Sequence, residues 1–420
     1  MTDYRPENGD IIEDNDDFKP SPREAFHTEP QLCDYMLRKI HSSVPLMIKS
    51  SLISMGSGLF TTQDIEEGQE IYRSIPFMTA VDYDRNLDYL CYHCLKETEY
   101  VPAIQNATGG KASLVWLWKI VPALRINCVR IRTAGDHRSV GSAFDLELKV
   151  RSLKRISAGE EITICYVDPT LGVASRQHLL EQEYHIKCSC RRCKSEAKDH
   201  EALIAQAGNM DAVLQTETNI LALIREAVLL NQAPDNAVFS PHNEPVESRL
   251  NYVLGKAPSW PEFMDPLPAA RMALGILYRQ KGKYRQAAVN ILKGQLVRRC
   301  RDGPEWVNDL FDTCIMLIQL GNLPPDSGVL KSNGKEMATI MDARTVAYGY
   351  LYVLFKAVSK VFGSGTLYTK MVFDMFGSVL TQKPGNCPGS EEFAKEFEEA
   401  QAKLLAWAGI PIQYALDLPQ

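Results

Sequence analysis

A chain of 420 residues has room for two or three domains of ~100–200 residues each, and its 45% apolar and 23% charged content allows a sizeable buried core. The net charge of −6 argues against a general nucleic-acid binder, so no direct nucleic-acid partner is expected. No run reaches the ~18 apolar residues of a membrane span, and the acidic start "MTDYRPENGDIIEDNDD" has no apolar stretch of the secretory type.

Taken in chain order, residues 1–45 read as a disordered acidic leader: positions 1–30 hold nine acids and three bases. Residues 119–155 reverse the sign, with nine bases and three acids. From about 46 to 170 short β-type runs ("GLFTT", "QEIYRSI", "VRIRT", "EITICYV") alternate with Gly-bearing turns, interrupted by one helical piece, "SLVWLWKIVPAL". Within "GEEITICYVD" (159–168) the β-branched and aromatic residues predict a strand buried on both faces, ended by Asp168-Pro169. "ASRQHLLEQEYHI" is predicted helical, and residues 200–420 form an all-α half. In it, "AARMALGILYRQKGKYRQAAVNILKGQLVRR" (269–299), punctuated by Gly282, fits either one tetratricopeptide-type helical pair or a plain α-hairpin. "PPDSGVLKSNGKE" (324–336) reads as a loop, and "AYGYLYVLFKAVSKVF", broken by Lys356 and Lys360, as a buried core helix.

Eleven cysteines in a chain without an export signal are not expected to form a disulfide frame. Cys33, Cys300, Cys314 and Cys387 are scattered and read as buried thiols. "KCSCRRC" places Cys188, Cys190 and Cys193 within six residues, a spacing suited to zinc, which takes four ligands; a fourth must come from elsewhere. "CYHC" (Cys91, Cys94) is half of a zinc site or a leftover pair.

Four pieces fall in order: "MGSGLFTTQDIEEGQEI" (55–71), "CYHC", "ISAGEEITICYVD" and "EQEYHIKCSCRRC". This order resembles the SET-domain protein-lysine methyltransferases of the SET-and-MYND type. The resemblance implies an α+β fold: a β-rich SET core split by a MYND finger, spanning 46–195 with post-SET cysteines, then an all-α tetratricopeptide-like domain over 200–420. It implies S-adenosylmethionine and zinc as cofactors, and a protein substrate with an accessible lysine, histone tails among them, in the nucleus or cytoplasm. It assigns Met55, Gly56, Ser57 and Gly58 to a turn that approaches S-adenosylmethionine and Asn127 to cofactor contact. Tyr166 becomes the catalytic tyrosine, also at the cofactor, and Tyr184 lines the lysine channel. Cys188, Cys190 and Cys193, with Cys91 and Cys94, become zinc ligands. The chemistry is coherent: methyl transfer to an amine needs alignment and a neutral lysine more than acid–base machinery.

The chain departs from the family pattern twice. The Asn-His-Ser-Cys-x-Pro-Asn segment that precedes the "GEE" strand is missing, because "GSAFDLELKVRSLKRISAGEEI" runs straight through from Gly141. After Cys94 the MYND ligands do not follow. Two functions stay open: a lysine methyltransferase impaired in this chain, or a catalytically inactive SET relic whose helical half is an interaction scaffold.

Overall fold

The structure, a computed structural model, describes residues 41–42, 44–51, 57–74, 148–232, 245–256, 260–299, 301, 303–332, 335–382 and 386–419. The chain divides into a short unit, Met1–His41, and a large one, Ser42–Gln420, to which every element below belongs.

The β region contains two antiparallel strand pairs of defined register. Strand β1 (Leu46–Ser50) pairs with β2 (Ser57–Thr61) in the register Ser50↔Ser57 and Lys49↔Gly58. Strand β3 (Glu70–Ser74) pairs with β4 (Leu148–Arg151), with a bulge between Glu70 and Tyr72 and an ion pair from Arg151 Nη2 to Glu70 Oε2 at 3.2 Å. Isolated bridges Phe60↔Glu161 and Ile65↔Ile156 bring the 156–161 segment alongside. Val44, Ile65, Ile71, Val150 and Ile156 form a small apolar core, so Val44, inside the segment read as leader, is buried. The region docks on the helical half through Gly68. Its φ is +79°, and a Cβ there would lie 2.9 Å from the Cα of Lys360, so only glycine fits on both counts.

Ten helices follow among the described residues: α1 (Val173–Tyr184), α2 (Arg191–Ala207), α3 (Met210–Gln232), α4 (Val246–Lys256), α5 (Leu267–Gln280), α6 (Tyr284–Leu296), α7 (Gly303–Gly321), α8 (Ile340–Phe362), α9 (Leu367–Gln382) and α10 (Glu391–Ala408). None is long and apolar enough to cross a membrane. The α5/α6 pair turns at Gly282 and packs closely, because a Cβ at Gly275 would meet Ile291 at 2.5 Å and one at Gly294 would meet Met272 at 2.7 Å. Helix α8 carries the "AYGYLYVLF" run and is the central core helix: Tyr350, Leu351, Leu354 and Val358 are fully buried. It starts at a capping box, with Thr339 Oγ1 accepting from Asp342 N at 3.0 Å and Asp342 Oδ2 from Thr339 N at 2.8 Å. Helices α3, α4 and α5 enclose a second apolar cluster around Ile220, Leu250 and Leu274.

Three sequence expectations change. "GEEITICYV" is not a strand buried on both faces: only Glu161 bridges, and Ile164 and Tyr166 are 37% and 44% exposed. Such a strand needs neighbours on both sides, and among the described residues the backbone hydrogen bonds to β2 come from its start, with Gly159 N donating to Thr61 O at 2.8 Å, Thr61 N to Glu160 O at 3.4 Å and Ile162 N to Leu59 O at 2.7 Å. The 324–336 loop contains a small hairpin, β5 (Lys331–Ser332) with β6 (Lys335–Glu336). Cys314 is fully buried as expected, but Cys387 is exposed, in the turn ahead of α10 where its carbonyl accepts from Ser390 N at 3.1 Å. Cys33 and Cys300 lie outside the described residues.

Candidate active site and cysteine cluster

Tyr166 and Tyr184 come from different elements and meet. Their ring centroids are 5.0 Å apart and the planes tilt by 50°. Tyr166 ends an extended run that stops in a side-chain turn, where Asp168 Oδ1 accepts from Thr170 N at 2.8 Å and from Thr170 Oγ1 at 2.6 Å. Tyr184 is the last residue of α1, and His185 closes that helix in the left-handed region at φ 54°. The other end of α1 is held by α3: Gly172 N donates to the buried Glu217 Oε1 at 2.6 Å. Burial pushes the Glu217 carboxyl above its ordinary range, against that hydrogen bond.

Ser57 and Gly58 do not form a turn; both belong to β2. Gly58 lies beside the Glu161 carboxylate: a Cβ there would fall 2.3 Å from Glu161 Oε1, the same oxygen that accepts from Ser51 Oγ at 2.7 Å, so a larger residue would displace that side chain. The methyl-donor assignments at Met55, Gly56 and Asn127 lie outside the described residues, as do Cys91 and Cys94. Of that set the structure therefore places Ser57, Gly58 and Tyr166.

The Sγ atoms of Cys188, Cys190 and Cys193 all lie within 4.8 Å of one another. Thiolates at ~2.3 Å from a tetrahedral zinc would stand somewhat closer together, so the cluster fits one such ion with little adjustment. Two features support thiolate character. Cys190 is the N-cap of α2 and accepts from Cys193 N at 3.4 Å, where the helix dipole favours negative charge. Hydrogen bonding from the Cys193 thiol lowers the Cys190 thiol to about 4, while the same contact pushes Cys193 up. Gln177 on α1 fixes the loop, its amide donating to Cys188 O at 2.7 Å and accepting from Cys188 N at 3.1 Å.

Sequence reasoning missed the charges beneath the cluster. Arg176, 4% exposed, donates to Glu196 Oε2 at 2.6 Å and reaches Cys193 Sγ at 3.9 Å. Arg192 donates to Glu196 Oε1 at 2.8 Å and Asp265 Oδ2 at 2.8 Å. Burial raises the Glu196 carboxyl, but Arg176 and then Arg192 outweigh it and hold it below the usual carboxylate range. The spacing of Arg192 and Glu196, four apart on a helix, was a readable signal; nothing in "ASRQHLL" marks Arg176 as buried.

His200, one turn beyond Glu196, has its pKa lowered by burial, with Arg176 adding to that and Glu196 opposing it. The folded state thus takes up this proton later than the unfolded chain does. The stability His200 contributes is present above its ordinary pKa of 6.5 and is lost as pH falls through and below that value. Asp265, raised to about 6 chiefly by burial, has the opposite sign: it favours the folded state below about 6 and loses that contribution as pH rises through it. Denaturant midpoints at about pH 7.5 and 5.5 isolate the histidine. The drop on acidification should be smaller in His200→Gln than in the unaltered chain, and equal drops would count against this account.

Elemental analysis should find at most one zinc per chain, removed by Cys190→Ser. Three zincs per chain would contradict the reading that Cys91 and Cys94 lack their partners.

Residues 56–167 match the SET domain family, so the chain contains a SET domain. Several relatives are named histone-lysine N-methyltransferases. Over 82 residues, 19% of this chain and 17% of the relative, it is 35% identical to the histone-lysine N-methyltransferase Smyd1 of Mus musculus. Over 79 residues, 19% of this chain and 16% of the relative, it is 35% identical to the histone-lysine N-methyltransferase SET5 of Meyerozyma guilliermondii. Mouse SMYD3, of the same description, is 39% identical over 56 residues, 13% of each chain. The matched stretch thus spans less than a fifth of each relative's length.

Proposed function

We propose that this protein is an S-adenosylmethionine-dependent protein-lysine N-methyltransferase, weakened in this chain. The observation that carries the reading is the Tyr166–Tyr184 pair, two rings in contact at 5.0 Å that together can form one aromatic wall for the side chain of a lysine. The bound donor would supply an electrophilic methyl on a sulfonium. The chain's own residues would align the amine. The Tyr166 hydroxyl can accept weak C–H contacts from a passing methyl group. The two aromatic faces shield the lysine from water and favour the cationic product. The amine must arrive neutral, against an ordinary pKa of ~10.4, which desolvation against that wall promotes. The cysteine cluster would hold one structural zinc. The substrate would be a protein with an accessible lysine, a histone tail among the candidates given the relatives' names, in the nucleus or cytoplasm.

The weakening follows from the missing Asn-His-Ser-Cys-x-Pro-Asn segment, since a misplacement of about 1 Å can cost ~100-fold in rate. That same absence favours the second reading, an inactive relic with a helical interaction scaffold. Calorimetric titration with S-adenosylmethionine and methyl transfer onto a mixed protein extract separate the two. The chain as it stands should bind poorly and transfer slowly or undetectably. A chain given the missing segment ahead of Gly159 should bind and transfer, and Tyr166→Phe in it should lower the rate with little loss of binding. No binding and no transfer in the completed chain would favour the scaffold.

A further inference from the structure

Glu196, 4% exposed, lies between two arginines, one on α1 and one between Cys190 and Cys193. Each arginine uses a second nitrogen for the same purpose. Arg176 Nη1 donates to Leu171 O at 2.5 Å, and Arg192 Nη1 donates to Pro169 O at 2.7 Å. Those carbonyls belong to the turn that follows Tyr166. Arg176 Nη2 also touches Cys193 Sγ at 3.9 Å. One buried carboxylate therefore fixes two planar guanidinium groups, and these hold the cysteine-bearing helix to the tyrosine-bearing turn. Charge-assisted bonds from rigid, forked donors are the strong and directional kind.

We propose that Glu196 is a positioning residue: through Arg176 and Arg192 it fixes the Pro169–Leu171 turn, keeps Tyr166 opposite Tyr184, and makes that turn respond to whether Cys188, Cys190 and Cys193 hold a metal. The role given to Tyr166 rests on the methyltransferase reading, whereas the clamp is measured without turnover. A metal that draws the three sulfurs together moves Cys193, which Arg176 touches, and moves Cys190 and Cys193 on either side of Arg192. Both guanidinium groups then shift against the two carbonyls.

Hydrogen exchange of the full chain tests this, because the turn has amides to report: Leu171 N donates to Asp168 O at 3.2 Å and Thr170 N to Asp168 Oδ1 at 2.8 Å. In the zinc-loaded unaltered chain, a zinc chelator should speed exchange in 165–172 by about tenfold, with helix α8 unchanged. In Glu196→Gln the segment should exchange about tenfold faster with zinc still bound, and chelation should add little. Arg192→Met, which keeps the Arg176–Glu196 pair, should behave like Glu196→Gln and carries the test if that variant does not fold. Equal protection of 165–172 in all three chains would overturn the proposal. So would exchange that rises in α8 to the same degree, which marks general destabilisation, or a chain that takes up no zinc. Absence of methyl transfer alongside the expected exchange pattern would remove the methyltransferase reading and leave the clamp standing.

Discussion

Arg176→Met should destabilise the protein by about 3–5 kcal/mol, the range for removing one partner of a buried ion pair. The side chains of Arg176 and Glu196 are 4% and 6% exposed, so water cannot take over the lost contact. The lower end is expected, because Arg192 still faces Glu196 from a side chain that is 22% exposed. The loss should be nearly independent of salt, unlike that of an exposed pair. The double variant Arg176→Met/Glu196→Met should recover part of it, since no buried carboxylate is then left short of a partner. Denaturant unfolding of the three variants reads this directly. A loss below about 1 kcal/mol, the value of a surface pair, would show that the pair is solvated in solution.

Gly349→Ala should cost about 1–2 kcal/mol, although alanine is by itself the better helix former. Gly349 sits inside α8, where a Cβ would stand within 2.2 Å of the Phe397 ring on α10. That ring has nowhere to go. It is 1% exposed, edge-on to Tyr350 at 6.0 Å and stacked with Phe393 at 6.2 Å. Overpacking a tight site costs about 1–3 kcal/mol and more where the surroundings are rigid, against ~1 kcal/mol gained from replacing a helical glycine. Strain should therefore win. Adding Phe397→Leu should make the pair of changes less costly than the sum of the two singles, a coupling that a double-mutant cycle measures. Additive losses would mean that α8 and α10 move apart freely.

The sequence by itself determined the elements whose cause is local. The turn at Gly282, the apolar run of α8 and the largely helical character beyond residue 200 depend on periodicity and backbone preference, which act over a few residues. The zinc-like spacing of Cys188, Cys190 and Cys193 was legible for the same reason, since three ligands within six residues must share a small volume. The sequence also supplied Tyr166 and Tyr184, through the order of motifs around them. Only the tertiary structure decided what depends on distant partners. Whether "GEEITICYV" is a buried strand depends on neighbours that its own residues do not specify, and the result is an extended run with Tyr166 exposed. Gly58 reads as a turn glycine until the structure places it within β2, beside Glu161 from over a hundred positions away. Arg176, Glu196, Glu217 and Asp265 look like ordinary surface charges in one dimension. They are buried because α1, α2 and α3 and the Asp265 segment converge, and burial is a property of that convergence rather than of any residue in it.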